Sequence, residues 1–177
     1  MTVPATDAPA RRWSPTRALV VLAIVAMVAM WGYVLYLAFG PGRQPPPDQL
    51  ADPTFGRLAQ ERCEAAHDVV AALPPAVETE TAAERADIVD EANARFSTMI
   101  DEIEPLAPEG EDGAIVAAWI ADWRTYLDDR AAYADALRRD PDARLYVTAR
   151  DREQVTEYID AFAADNHMAA CGTPIDV

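Results

Sequence analysis

The only thiols in the chain belong to Cys63 and Cys171, and the only imidazoles to His67 and His167. Each histidine stands four residues from a cysteine, His67 after Cys63 and His167 before Cys171. Residues four apart share one face of a helix, so each pair is a one-turn Cys/His unit. Two antiparallel helices that bring the cysteines together would also bring the histidines level. Two chemistries compete for such a set. Reduced thiols with two imidazoles make a tetrahedral Cys2His2 zinc site, whereas oxidised thiols make a disulfide and withdraw the sulfur ligands. The disulfide is the expectation, because the topology derived below puts both cysteines where disulfides persist. Cys63, His67, His167 and Cys171 as a metal site is the alternative. The bond would span a sequence separation of 108 residues, worth about 4 to 5 kcal/mol in the chain-entropy account of cross-linking.

Other reactive side chains lack the company that chemistry requires. Ser97 is the one serine after the apolar segment, and it sits beside Thr98 in a helical pattern with no glycine-flanked turn to present it as a nucleophile. Acidic pairs are common, but 30 carboxylates place some of them together in any fold. The chain has no glycine-rich phosphate loop, HExxH or CxxC. Trp119 and Trp123, one turn apart, have the spacing of a ligand-stacking pair, yet they continue an apolar stripe and are expected in the core. The chain is therefore expected to be non-enzymatic and to need no cofactor.

These residues are positioned by two kinds of element. Ala18 to Phe39 contains no charged residue, and 22 residues at about 1.5 Å each cover roughly 33 Å, enough to cross a hydrocarbon core. Trp13 precedes this span and Trp31, Tyr33 and Tyr36 lie near its far end, where aromatic rings settle at headgroups. Arg11, Arg12 and Arg17 precede it, and only Arg43 closely follows. By the positive-inside rule, residues 1–17 form a short cytoplasmic tail and the rest of the chain lies outside. Cleavage as a signal peptide after Ala38-Phe39-Gly40 is the competing reading; the length of the apolar run and Pro41 just beyond it argue against cutting. Ala23, Ala26, Ala29 and Gly32 form a stripe of small residues, expected to be idle against lipid more often than a helix-packing face.

Gly40 to Asp52, with Gly40-Pro41-Gly42 and Pro45-Pro46-Pro47, reads as a semi-rigid stalk. The remainder, 53–177, carries four helical patterns. The first is capped by Asp52 with Pro53 at its first position and presents Phe55, Leu58, Cys63, Ala66, Val70 and Leu73. The second starts at a Thr81/Glu84 capping box and presents Ile88, Ala92, Phe96, Met99 and Ile103. The third begins near Asp112 and runs through Val116, Trp119, Ile120, Trp123, Tyr126, Leu127, Ala134 and Leu137. The fourth follows a second capping-box pattern, Thr148/Asp151, and carries Val155, Tyr158, Ile159 and Phe162. Leu145-Tyr146-Val147 between them reads as a short extended piece. Amphipathic helices bury such stripes against one another. The expected class is all-α: one transmembrane helix, then an extracytoplasmic four-helix, up-and-down bundle closed by the disulfide.

Charge narrows the partners. Acidic residues number 30 against 15 basic ones, and the whole chain carries −15. Every basic residue is arginine, and the charge excess lies entirely after the apolar span. Such a surface repels phosphate backbones, so no nucleic-acid partner is expected; its plain role is solubility. Arg11-Arg12-Trp13-Ser14-Pro15, Trp31-Gly32-Tyr33, Pro45-Pro46-Pro47 and the terminal Ala170-Cys171-Gly172-Thr173-Pro174 together resemble a group of uncharacterised single-pass membrane proteins of high-GC actinobacteria. The resemblance implies an envelope location and carries over no functional residue. The expected function is a membrane-anchored interaction module or accessory subunit of an envelope complex, with the bilayer and another envelope protein as partners. A ligand- or cation-responsive outer domain is the alternative.

Overall fold

The computed structural model describes residues 15–40, 45–75 and 78–176. They divide into two compact units, one ending at Pro45 and one starting at Pro46. The first unit contains helix α1, Pro15–Phe39, none of whose residues is buried. Proline at its first position costs nothing, since that N–H would be unpaired in any case. The helix has 25 residues and is long and apolar enough to cross a membrane. Arg17, Trp31, Tyr33 and Tyr36 are exposed along it. Arg11, Arg12 and Trp13 lie outside the described residues, as does Arg43.

The second unit is built from α2 (Thr54–Ala71), α3 (Ala82–Ile103), α4 (Glu111–Leu137) and α5 (Val155–Asp165), with short 3-10 turns at Glu104–Leu106 and Ala169–Cys171. Their starts follow local chemistry. Asp52 Oδ1 accepts from the Thr54 N–H at 2.9 Å ahead of α2. At α3 the capping box forms in both directions: Thr81 Oγ1 accepts from the Glu84 N–H at 3.2 Å, and Glu84 Oε2 accepts from the Thr81 N–H at 3.0 Å. Before α4 the backbone turns through Gly110 at φ 79°, a conformation that favours glycine.

The fourth helix starts later than its sequence pattern suggests. Thr148 and Asp151 do not cap it; they belong to a tight hairpin in which β1 (Ala149–Arg150) pairs antiparallel with β2 (Glu153–Gln154). Asp151 and Arg152 both have positive φ, 51° and 79°, as the two central residues of a primed hairpin turn require. Thr148 instead bonds Asp129 of α4 twice, at 2.7 and 2.9 Å. Leu145 and Val147 pack against the core while Tyr146 points out, the alternation expected of an extended piece.

The core joins all four helices through Cys63, Phe96, Trp119, Trp123, Ile159 and Met168. Trp123 packs on Phe96 with ring centroids 5.8 Å apart and Trp119 on Phe162 at 5.3 Å, so the tryptophans are core residues. A smaller cluster of Ala86, Val89, Ala134 and Leu137 extends this contact toward the start of α3 and the end of α4. Leu58 and Ile88, expected on the apolar stripes, are only half-buried; Ala59 and Val89, one 100° step around each helix, are buried instead. Arg124 pairs with Glu104, and Arg138 with Asp87 and Asp90, each at 2.7 Å. The late part of α3 therefore meets the middle of α4 and the early part of α3 meets its end, so these two helices run antiparallel.

The expected stalk is shorter than Gly40 to Asp52. Pro46 onward belongs to the helical unit, and Asn166 fastens it: the Leu50 N–H donates to Asn166 Oδ1 at 2.8 Å, while Asn166 Nδ2 donates to the Asp48 and Phe162 carbonyls at 3.0 Å. The Ala51 N–H adds a 3.0 Å bond to Asp112. Gly56 permits this approach, because a Cβ there would collide with the Asn166 carbonyl oxygen.

Candidate functional site

Cys63 and Cys171 form a disulfide with their Cα atoms 5.1 Å apart, both fully buried. The sulfurs are therefore spent, and the imidazoles do not complete a metal set. Helix α5 ends before His167, which takes φ 56° in the turn that follows. The His167 N–H donates to the Ala164 carbonyl and the Met168 N–H to the Ala163 carbonyl, the paired bonds of a helix C-terminal cap with its left-handed residue at His167. Cys171 lies in a separate 3-10 turn, so the four-residue spacing between His167 and Cys171 is not helical. His167 is exposed, and His67 rests half-buried with its ring 5.2 Å from that of Phe96. Among the described residues no group of three or more His, Cys, Asp or Glu side chains is placed to hold a metal ion.

The buried charge of the domain lies elsewhere. Arg130 of α4 is fully buried, and its guanidinium grips both oxygens of Asp176 at 2.7 Å, near the end of the chain. Its Nε donates to Asn93 Oδ1 at 2.6 Å, and the group lies against the Phe96 and Tyr126 rings. Burial pulls the Arg130 pKa down, but the bonds and charge of Asp176, with a smaller share from Tyr126, outweigh it and raise it. Burial likewise pushes the Tyr126 hydroxyl up, partly offset by Arg130. Bidentate pairing is the strong form of a carboxylate contact, and here it pins the segment after the disulfide to the domain interior. Thr173 secures the same segment through two bonds to Asp160 of α5, at 2.6 and 3.1 Å.

Sequence reasoning passed over Arg130, although a signal was present. It falls between Leu127 and Ala134 in the apolar stripe of α4, where the helical period calls for a core residue. Asp122 and Arg150 form a second bidentate pair, at 2.8 and 3.1 Å, with Arg150 stacked 4.2 Å from the Tyr158 ring centre. Burial raises the Asp122 pKa, with the Arg150 charge opposing. Nothing in the spacing announces that contact, because it depends on the hairpin turning Arg150 back onto α4.

Next to the Arg130–Asp176 pair lies a cleft of about 510 Å³ between the end of α2, the first half of α3 and the terminal segment. Val70, Leu73, Ile88 and Val89 contribute apolar walls; His67, Arg85, Tyr133 and Asp176 contribute the polar groups. The Nε of Arg85 is buried without a hydrogen-bond partner. No protein-family model, curated protein or solved structure matches the chain.

Proposed function

We propose that this chain is a membrane-tethered, non-enzymatic interaction module whose helical domain lies outside the cytoplasmic membrane and serves as an accessory subunit of an envelope complex. The observation that carries the reading is the pairing of α1, a 25-residue helix long and apolar enough to cross a membrane, with a second unit closed by a disulfide. A helix of that length and composition fits a lipid solvent, and a disulfide of this kind persists on the oxidising side of a membrane. Arg11, Arg12 and Arg17 ahead of the helix favour a cytoplasmic N-terminus.

The same reading takes the outer domain as a four-helix, up-and-down bundle. The antiparallel α3 and α4, the packing of α2 on α3 and of α4 on α5, and the disulfide from α2 to the turn after α5 support that order. An interaction role, in place of a reaction, rests on the buried charges: Arg130 and Asp122 are each held by a carboxylate or guanidinium partner within the domain. Crosslinking in native membranes followed by purification of the full chain tests the assignment. The reading expects one envelope protein recovered in a fixed ratio with the chain. Recovery of the chain alone at every crosslinker length would contradict it.

A further inference from the structure

We propose that the cleft beside Arg85 is a binding site for a small amphipathic anion, a carboxylate on an apolar body. The inference goes beyond the tethered-module reading and depends only on the geometry of the helical domain.

Three observations lead to it. The cleft, at about 510 Å³, falls in the range of sites that take small organic ligands. Its walls are apolar, provided by Val70 of α2, Leu73 just past its end, and Ile88 and Val89 of α3. Among the described lining residues Asp176 is the only carboxylate, and both its oxygens are already engaged by Arg130. That leaves Arg85 as the uncompensated charge facing the cleft.

In a chain with 30 acidic residues, most of the domain's arginines have found a carboxylate; Arg57, Arg62, Arg95, Arg124, Arg130, Arg138 and Arg150 all form ion pairs. Among the described residues Arg85, Arg139, Arg144 and Arg152 form no ion pair, and of these only Arg85 has a buried Nε without a partner. A buried donor left without a partner carries a desolvation cost, and a carboxylate meeting the guanidinium from the cleft lets the Arg85 side chain turn so that Nε gains an acceptor. A carboxylate is the acceptor whose geometry matches a guanidinium edge. The acidic surface repels free anions at long range, so a bare carboxylate would bind weakly. Burial of an apolar body against the walls supplies the affinity, and Arg85 supplies the selection for charge. A ligand of about eight carbons is small enough for a site of this class.

Octanoate and its neutral counterpart octanamide test the proposal on the full chain held in lipid nanodiscs, by calorimetric titration with empty nanodiscs as the blank. Octanoate should bind with a Kd below about 1 mM, and at least about tenfold more tightly than octanamide, the ratio expected of a charge-assisted contact. Arg85→Gln should bring octanoate to the level of octanamide while leaving the circular dichroism spectrum and melting temperature unchanged. Ile88→Trp, which fills the half-buried wall, should abolish binding of both. Equal binding of the two probes, or octanoate binding that survives Arg85→Gln, would overturn the anion assignment. No heat beyond the blank, together with self-association that Arg85→Gln abolishes, would show that the cleft receives a second copy of the chain. These outcomes are independent of which side of the membrane the domain faces.

Discussion

Removing the Asp176 carboxylate should destabilise the domain far more than its place beyond the last helix suggests. Arg130 has no exposed side-chain surface, whereas the Asp176 side chain retains 23%. Asp176→Asn keeps the shape but removes the countercharge, leaving a guanidinium with Asn93 and a long 3.4 Å contact to Tyr126. Breaking a buried ion pair from one side costs about 3 to 5 kcal/mol. Because the Asp176 side chain is partly exposed, that cost is discounted to about 2 to 4 kcal/mol, or a fall of roughly 6 to 16 °C in melting temperature for a domain of this size. The assay is urea unfolding of the full chain in nanodiscs, disulfide intact, followed by the emission of the buried tryptophans. Arg130→Met in the Asp176→Asn background should recover most of the loss, since removing both charges leaves nothing buried and unpaired. A loss below about 0.5 kcal/mol for Asp176→Asn, the scale of an ordinary surface change, would refute the interior clamp.

Three further outcomes follow from the same contacts. Cys63→Ser should lower the melting temperature by about 10 °C, the effect of losing a few kcal/mol of cross-linking, while far-ultraviolet circular dichroism stays helical because the stripes remain buried; an unchanged melting temperature would show that the bond adds nothing. Gly56→Ala should also destabilise, despite alanine's higher helix propensity, because its methyl meets the Asn166 carbonyl; a stabilised variant would sink that contact. Asp52 has a pKa lowered below 3.8, first by the Thr54 side chain and then by the Thr54 N–H. Its ionised form therefore favours the folded state, with the contribution complete above pH 3.8 and lost as pH falls through the lower folded value. Asp52→Asn should flatten that acid limb of the melting curve, and an identical limb in both proteins would contradict the Asp52–Thr54 contact.

Much of the fold was legible because it rests on local and periodic signals. The stripes of α2 to α4, the Thr81/Glu84 box and the pairing of the only two cysteines needed only helix geometry and counting. The Thr148/Asp151 pattern failed because the same spacing suits a hairpin, and non-glycine residues at positive φ, as at Asp151 and Arg152, leave no mark in composition. The Cys/His set failed at His167, where a histidine in a left-handed cap ends α5 and breaks the assumed period. Pro46 to Asp52 read as part of a semi-rigid stalk because polyproline sequence reports backbone stiffness and says nothing of Asn166, more than a hundred residues away. Arg85 gave no signal, since its interest comes from the carboxylates it does not meet. Arg130 gave one, an arginine where the period of α4 demands an apolar side chain.

The central claim, a domain outside the membrane on an uncleaved anchor, is tested most directly by labelling intact cells with a membrane-impermeant maleimide. Tyr146, 81% exposed on the helical unit, and Thr2, ahead of α1, are replaced by cysteine one at a time. The account predicts that Tyr146→Cys is labelled in intact cells, that Thr2→Cys is labelled only after lysis, and that the parent chain, with both thiols in the disulfide, is labelled in neither. Labelling of Thr2→Cys in intact cells with protection of Tyr146→Cys would invert the topology, and a mature chain lacking residue 2 would show that the apolar helix is a cleaved signal.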